Sequence, residues 1–228
     1  MLATFLGAVV FLLIMAGLFV PLEALAPARA QPATKQAMAW GAGLFVANTM
    51  LMQLLGAPVL EWLGAGRATR SVAMFALVFV VSDLVGYWVH RAMHRVPFLW
   101  RFHSLHHEAT ELHWLDAWRQ HPLDFVIHGI AVGIPGALLG ASLSELASVV
   151  VLRKAFTTFL HANLTLDFGL VLASPVFHAR HHSADPKHYD TNFAGTFPIW
   201  DVVFGTAQGS ATKPNTVVCT PSSSQRSL

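Results

Sequence analysis

Thirteen histidines stand in this chain against twelve aspartates and glutamates together, and eight of the thirteen fall in three short clusters. His90 and His94 form an HxxxH pair. His103, His106 and His107 form an HxxHH triplet, and His178, His181 and His182 form a second one. Residues three and four apart share a helix face, so the spacing predicts that each triplet aims its rings at one point, within an arc of about 100°. Random placement of the same histidines would supply about 0.04 HxxHH matches. A solitary histidine such as His113 or His128 is read as a core or interface residue. Eight grouped imidazoles are different: they would repel one another if protonated and would lack partners if neutral and unligated. Metal coordination removes both problems, because a ligating imidazole is neutral and uses its ring nitrogen as the donor.

The ligand type alone leaves zinc, copper, iron and nickel open. Ligand number narrows the choice. One zinc site needs about three or four protein ligands, so eight or nine histidines imply two metals, each with room for an exogenous group such as dioxygen. A two-metal hydrolase would call for bridging carboxylates, and none lies inside the clusters.

The elements that must position these residues belong to a membrane protein. Of 228 residues, 54% are hydrophobic and 11% are charged, against about 25% charged in ordinary soluble domains. Net charge is +2, with no basic stripe or tail, which argues against a nucleic-acid partner. The single cysteine, Cys219, excludes an intrachain disulfide and any multi-cysteine metal site. Uncharged or nearly uncharged stretches at 1–22, 36–60, 71–89 and 125–143 predict about four transmembrane helices. The first of these is read as a retained helix rather than a cleaved leader, since no Lys or Arg precedes it. A further stretch, 145–160, carries Arg153 and Lys154 in its middle and is read either as a weaker return across the membrane or as a half-buried helix under the site. Asp83, inside the third span, should face the bundle and find a partner. The fold expected is all-α: a polytopic membrane bundle with a cytoplasmic histidine-rich helical cap. Its divisions are N-terminal helices and loops over 1–70, a di-metal domain over 71–207 and a disordered polar tail over 208–228. Arg29, Lys35, Arg91, Arg95, Arg101 and Arg119 would lie on one side of the membrane and Arg67 and Arg70 on the other, which places the histidines on the cytoplasmic side.

Several further segments carry a resemblance: the run from Asp83 to Arg91, Trp100 to His107, Arg119 to Pro122, Phe159 to Asn163, Asn192 to Ala194, and the closing Trp200 to Thr206. In this order they resemble the sterol desaturase/fatty acid hydroxylase superfamily of membrane-bound, histidine-rich di-iron oxygenases. The resemblance implies two non-haem iron ions held by His90, His94, His103, His106, His107, His178, His181 and His182, with His161 as a ninth ligand. Some members have HxxxH where this chain has Thr157 and His161. His121 and His188 are reserves, and His121 is equally a helix-entry contact. Asp83, Asp116, Asn163, Asn192 and Asp201 are candidates to orient ligand imidazoles, while Trp200 and Phe204 are read as interfacial packing. The reaction implied is hydroxylation or desaturation of a lipid carbon–hydrogen bond with O2. Electrons would come from a cytochrome b5, ferredoxin or similar reductase system. Phe75, Phe79, Val80, Phe125 and Val126 offer apolar surface for a lipid, though helix packing explains them equally well. The rivals are a carotenoid hydroxylase, disfavoured by the closing Trp-Asp-to-Gly-Thr segment, and a non-enzymatic membrane metal-binding protein, which should string its ligands along the spans.

Overall fold

A computed structural model describes residues 1–30, 35–66, 71–109 and 111–209. Arg67, Arg70, Cys219 and the tail beyond Gly209 lie outside the described residues. Among those described the chain is helical with no strand, and one isolated antiparallel bridge joins Pro27 to Leu164.

Helix α1, Leu2–Leu25, has 24 residues, about 36 Å at 1.5 Å per residue, enough for a hydrocarbon core of about 30 Å. Helix α2, Lys35–Leu51, continues through a π-turn, Met52–Gly56, into α3, Ala57–Leu63. Pro58 offers no N–H to the preceding turn, and the hydrogen-bond ladder widens just before it. Together Met38–Leu63 makes a second apolar stretch of 26 residues. Helix α4, Val72–Arg95, is the third of membrane-crossing length and ends at Val96, extended as a residue before proline must be. Helix α6, Pro122–Leu138, is apolar but has only 17 residues. Among the described residues, three helices rather than four are therefore long and apolar enough to cross by themselves.

Short helices make much of the histidine-bearing part. Helix α5 is Pro97–His103, α8 is Pro175–His181 and α9 is Ile199–Val203. Both α5 and α8 begin on proline, whose missing N–H costs nothing in a first turn, and Ser174 caps α8 by accepting from Phe177 N at 3.2 Å. Helix α7, Leu143–His161, opens with a reciprocal Ser142–Glu145 capping box.

The charged pair in α7 is absorbed internally. Lys154 Nζ lies 4.7 Å from the Phe45 ring centre and 5.3 Å from that of Phe125, and donates to Thr49 Oγ1 at 3.2 Å. Arg153 donates to Asp83 Oδ1 at 2.8 Å, the partner expected for a buried acid in α4. Oδ2 of Asp83 accepts from Phe197 N and Trp200 Nε1, each at 3.0 Å. One carboxylate thus ties α4, α7 and the segment leading into α9, and Trp200 is an anchor rather than interfacial packing. Phe204 stacks on Tyr87 with ring centres 5.3 Å apart.

The N-terminal helices share a core with the rest of the chain. Phe11 and Phe19 of α1 and Phe45 of α2 pack with Trp114, Trp118, Ala162 and Leu164. Gly41 permits the close approach, because a Cβ there would sit 2.6 Å from the Leu115 carbonyl oxygen. Asp83→Ala would leave the half-buried Arg153 without its counter-charge. It is expected to lower stability by about 3–5 kcal/mol, read as an earlier thermal transition in detergent; an unchanged transition would show the pair to be dispensable.

Candidate metal centre

The structure gathers nine imidazoles into two adjoining groups. His90, His94, His103, His107 and His181 form one; His106, His161, His178 and His182 form the other. Within each group the ligand nitrogens lie within 4.8 Å of one another. The groups touch, with the His107 and His182 rings stacked 4.3 Å apart. Eight of the nine residues are buried; His90 is half-buried, with its Nε2 enclosed.

Neither triplet converges on a single point, which corrects the expectation from helical spacing. Each divides between the groups. The first sends the i, i+4 pair His103 and His107 to the five-membered group and His106 to the other. The second sends His178 and His182 to the four-membered group and His181 across. Local geometry explains the split. Helix α5 stops at His103 and a 3-10 turn begins at His106, so the first triplet is not on one continuous helix. In the second, His181 and His182 point about 100° apart, wide enough to face different centres. The HxxxH pair, on the unbroken α4, stays together.

The outer ring nitrogens show how the rings are held. His90 Nδ1 donates to Phe193 O at 2.9 Å, His181 Nδ1 to Thr191 O at 2.8 Å and His161 Nδ1 to Thr157 O at 2.9 Å. Each acceptor is a carbonyl, so Nδ1 carries the proton and Nε2 keeps its lone pair facing inward. His103 Nδ1 is bonded to Asp124 Oδ2 at 3.0 Å, and His94 Nδ1 lies 3.6 Å from Asp190 Oδ1. Asp124, with 1% exposure, is a positioning acid that the sequence reading missed. The only available signal was its place three residues after His121, in the first turn of a helix that starts on Pro122. The acids and amides expected in that role do something else. Asp83 binds Arg153, Asp116 accepts from the His113 backbone, Asn163 bonds the Arg29 backbone, and Asp201 and Asn192 bond main chain and Thr206.

These residues fit metal ions. In the first group the Nε2 atoms of His90, His103, His107 and His181 are buried without a hydrogen-bond partner, a costly arrangement unless a cation meets them. In the second, Nε2 of His106 and of His178 each lie 3.1 Å from Nε2 of His161, and Nε2 of His182 lies 3.1 Å from that of His178. Nitrogens bound at about 2.0–2.1 Å around one ion stand about 3.0–3.4 Å apart. Burial, reinforced by the neighbouring imidazoles, holds His106, His107, His178 and His182 well below the usual imidazole range, and His181 is pushed down to about 3. All five are neutral near pH 7, the form that binds metal.

The remaining histidines stand apart from both groups. His121 accepts from Leu123 N at 3.1 Å and caps α6, the helix-entry role. His113 pairs with Glu23 at 3.3 Å. His188 is buried on the 3-10 turn Pro186–His188, and His128 is half-buried on α6. Phe75 packs on Phe79, which meets Phe197, while Phe125 packs on Trp118 and so belongs to the core. An apolar cleft of about 480 Å³ lies instead between α1 and α7, lined in part by Phe19, Leu152, Phe156 and Phe159. Phe159 and His161 project about 200° apart, so this cleft is on the face of α7 opposite the imidazoles.

The fatty acid hydroxylase family profile matches residues 75–206. The chain belongs to the fatty acid hydroxylase family. That segment contains all nine imidazoles. Among curated proteins, the chain is 33% identical to the ornithine lipid hydroxylase of Rhizobium tropici, over 57% of this chain and 40% of that protein. It is 33% identical to the alkylglycerol monooxygenase of Danio rerio, over 57% of this chain and 29% of the relative. It is 30% identical to methylsterol monooxygenase 2-2 of Arabidopsis thaliana, over 60% and 53% respectively. The chain thus spans about half or less of the length of these relatives. No solved structure matches it.

Asp124→Ala would take away the acceptor that orients His103. For whichever divalent ion the five-histidine group takes, affinity is expected to fall by about 10–100-fold, measured by chelator competition; unaltered competition would remove Asp124 from the positioning set.

Proposed function

We propose that this chain is a membrane-bound oxygenase that hydroxylates, or desaturates, a carbon–hydrogen bond of a lipid, using O2 and external electrons. The observation that carries this reading is the pair of adjoining all-imidazole groups, inside a segment that matches the fatty acid hydroxylase family. The named relatives act on an ornithine lipid, an alkylglycerol and a methylsterol, which supports a lipid substrate without choosing among these classes. His90, His94, His103, His107 and His181 would hold one iron ion, and His106, His161, His178 and His182 a second. When bound, such a pair of irons supplies the dioxygen chemistry that protein side chains lack.

The rest of the task falls to the chain. Thr157 O, Thr191 O, Phe193 O and Asp124 hold ring protons outward and keep the inward nitrogens free to ligate. The buried groups exclude bulk water from the reacting centre. The count of five histidines against four reflects Thr157, which stands where some members have a histidine and here supplies its carbonyl to His161. The three long apolar helices deliver the site to a bilayer, in which the substrate is already concentrated. The histidine-bearing end of α4 carries Arg91 and Arg95 and helix α5 carries Arg101, and this positive charge favours the cytoplasmic side. Electrons would come from a small redox protein there, of the cytochrome b5 or ferredoxin kind. A metal carrier is the other reading of such a cluster, but the ligands gather in two adjoining groups rather than along the spans.

His106→Ala is expected to abolish turnover and lower bound metal. The measurement is iron content by elemental analysis, alongside mass spectrometry of lipids from cells with and without the gene, seeking a gain of 16 or a loss of 2 mass units. A His106→Ala protein with full metal and full turnover would refute the assignment, and a wild-type chain that alters no lipid would favour the carrier.

A further inference from the structure

Four consecutive residues, Asp190 to Phe193, serve three of the five imidazoles in the larger group. Thr191 O accepts from His181 Nδ1 at 2.8 Å and Phe193 O from His90 Nδ1 at 2.9 Å, while Asp190 Oδ1 lies 3.6 Å from His94 Nδ1. The two carbonyls belong to residues i and i+2 of a backbone that is far from regular. Asp190 and Asn192 have φ of 56° and 57°, the only left-handed non-glycine residues among those described. Asp and Asn tolerate this region better than other non-glycine residues, but it is sparsely populated and persists only where surroundings over-determine it.

The surroundings do so. Asn192 is fully buried; its Nδ2 donates to Phe177 O at 3.0 Å and to Gln208 O at 3.2 Å, and its Oδ1 accepts from Gln208 N at 2.8 Å. Its own N–H donates to Thr206 O at 3.0 Å. Asp201, also fully buried, accepts from Phe193 N and Ala194 N, each at 2.8 Å, and from Thr206 Oγ1 at 2.7 Å. Because Thr206 gives its proton to Asp201, Tyr87 must donate to Thr206 Oγ1 at 2.9 Å, and Arg91 donates to Tyr87 Oη at 2.9 Å. Charge and hydrogen bonds therefore run in one direction, from the Arg91 cation through Tyr87 and Thr206 to the Asp201 carboxylate. The same carboxylate also accepts from the backbone N–H groups of Phe193 and Ala194, and so fixes the backbone that carries the Phe193 carbonyl.

The four-histidine group draws its support from other parts of the chain: His161 is oriented by Thr157 O of its own helix and His106 by a backbone hydrogen bond with Arg119. We infer that Asp190 to Phe193, locked by Asp201 and Asn192, is a strap that sets metal affinity at the five-histidine group alone, so that the two groups can be emptied separately. Asp201 and Asn192 are positioning residues in this scheme: neither reaches a histidine, and each acts through the backbone of the strap.

The inference rests on the two-metal reading above, and a metal count separates the failure of one from the failure of the other. Purified full-length protein is loaded with ferrous iron, dialysed against a chelator and assayed for iron per chain, with helicity followed by circular dichroism. Wild type should keep about two ions; Asp201→Asn, which sets an amide N–H against the Phe193 and Ala194 amides, should keep about one. Loss of the oriented acceptors is expected to weaken the affected site by about 10–100-fold. His161→Ala should also keep about one, from the other group, and the double variant none. Asn192→Gly keeps the left-handed backbone accessible while deleting the three side-chain bonds, and it carries the test if Asp201→Asn loses helicity. Asp201→Glu should restore part of the second ion. A folded Asp201→Asn or Asn192→Gly protein that retains both ions, or loses both together, overturns the strap. A wild type that binds no iron overturns the two-metal reading instead.

Discussion

Nine imidazoles are packed into a space from which water is largely excluded, and every ring nitrogen there must have a use. A neutral imidazole has one N–H and one lone pair, so each ring needs both an acceptor and something that accepts its electrons. The acceptors are visible on the outside of the cluster: Thr157 O, Thr191 O, Phe193 O and the Asp124 carboxylate. The lone pairs face inward, onto two centres. This division of each ring into an outer proton and an inner lone pair shapes the rest of the structure, since each acceptor has to be brought to its ring by a different element.

Much of the fold can be understood as the means of bringing them. Helix α4 delivers an HxxxH pair at the end of a membrane-length helix; α5 and α8 are short, proline-started helices that break where a change of direction is required. The Asp83 carboxylate draws α7 and the segment before α9 against α4, and Asp201 gathers the amides of Phe193 and Ala194. Both acids are fully buried and spend their lone pairs on the protein rather than on metal. They set geometry by fixing backbone, which leaves the metal-facing surface to imidazole alone.

That arrangement bears on the chemistry. A centre built without carboxylates places little negative charge on the ions it holds, and its inner surface is lined by neutral rings that remain neutral because burial and mutual repulsion oppose protonation. The relatives are named for an ornithine lipid, an alkylglycerol and a methylsterol.

The sequence by itself pointed to eight histidines spaced as metal ligands, His161 joining them only through the family resemblance, to a buried partner for Asp83 and to a chain helical and apolar enough for a bilayer. These follow from local spacing and composition, which periodicity reports directly. Only the tertiary structure decided how the histidines are shared. Helical spacing predicts that each triplet converges, but α5 ends inside the first triplet and the second straddles two centres, so each divides. Nor could spacing pick out the residues that orient the rings. Three of the outer acceptors are backbone carbonyls, which every residue possesses and which no side-chain pattern reveals. Asp124 lies 21 residues from His103 in the chain, and Thr191 and Phe193 gain their roles from left-handed neighbours and from Asp201. Long-range contact assigns these roles, and it is settled by packing among elements rather than by the order of residues within any one of them.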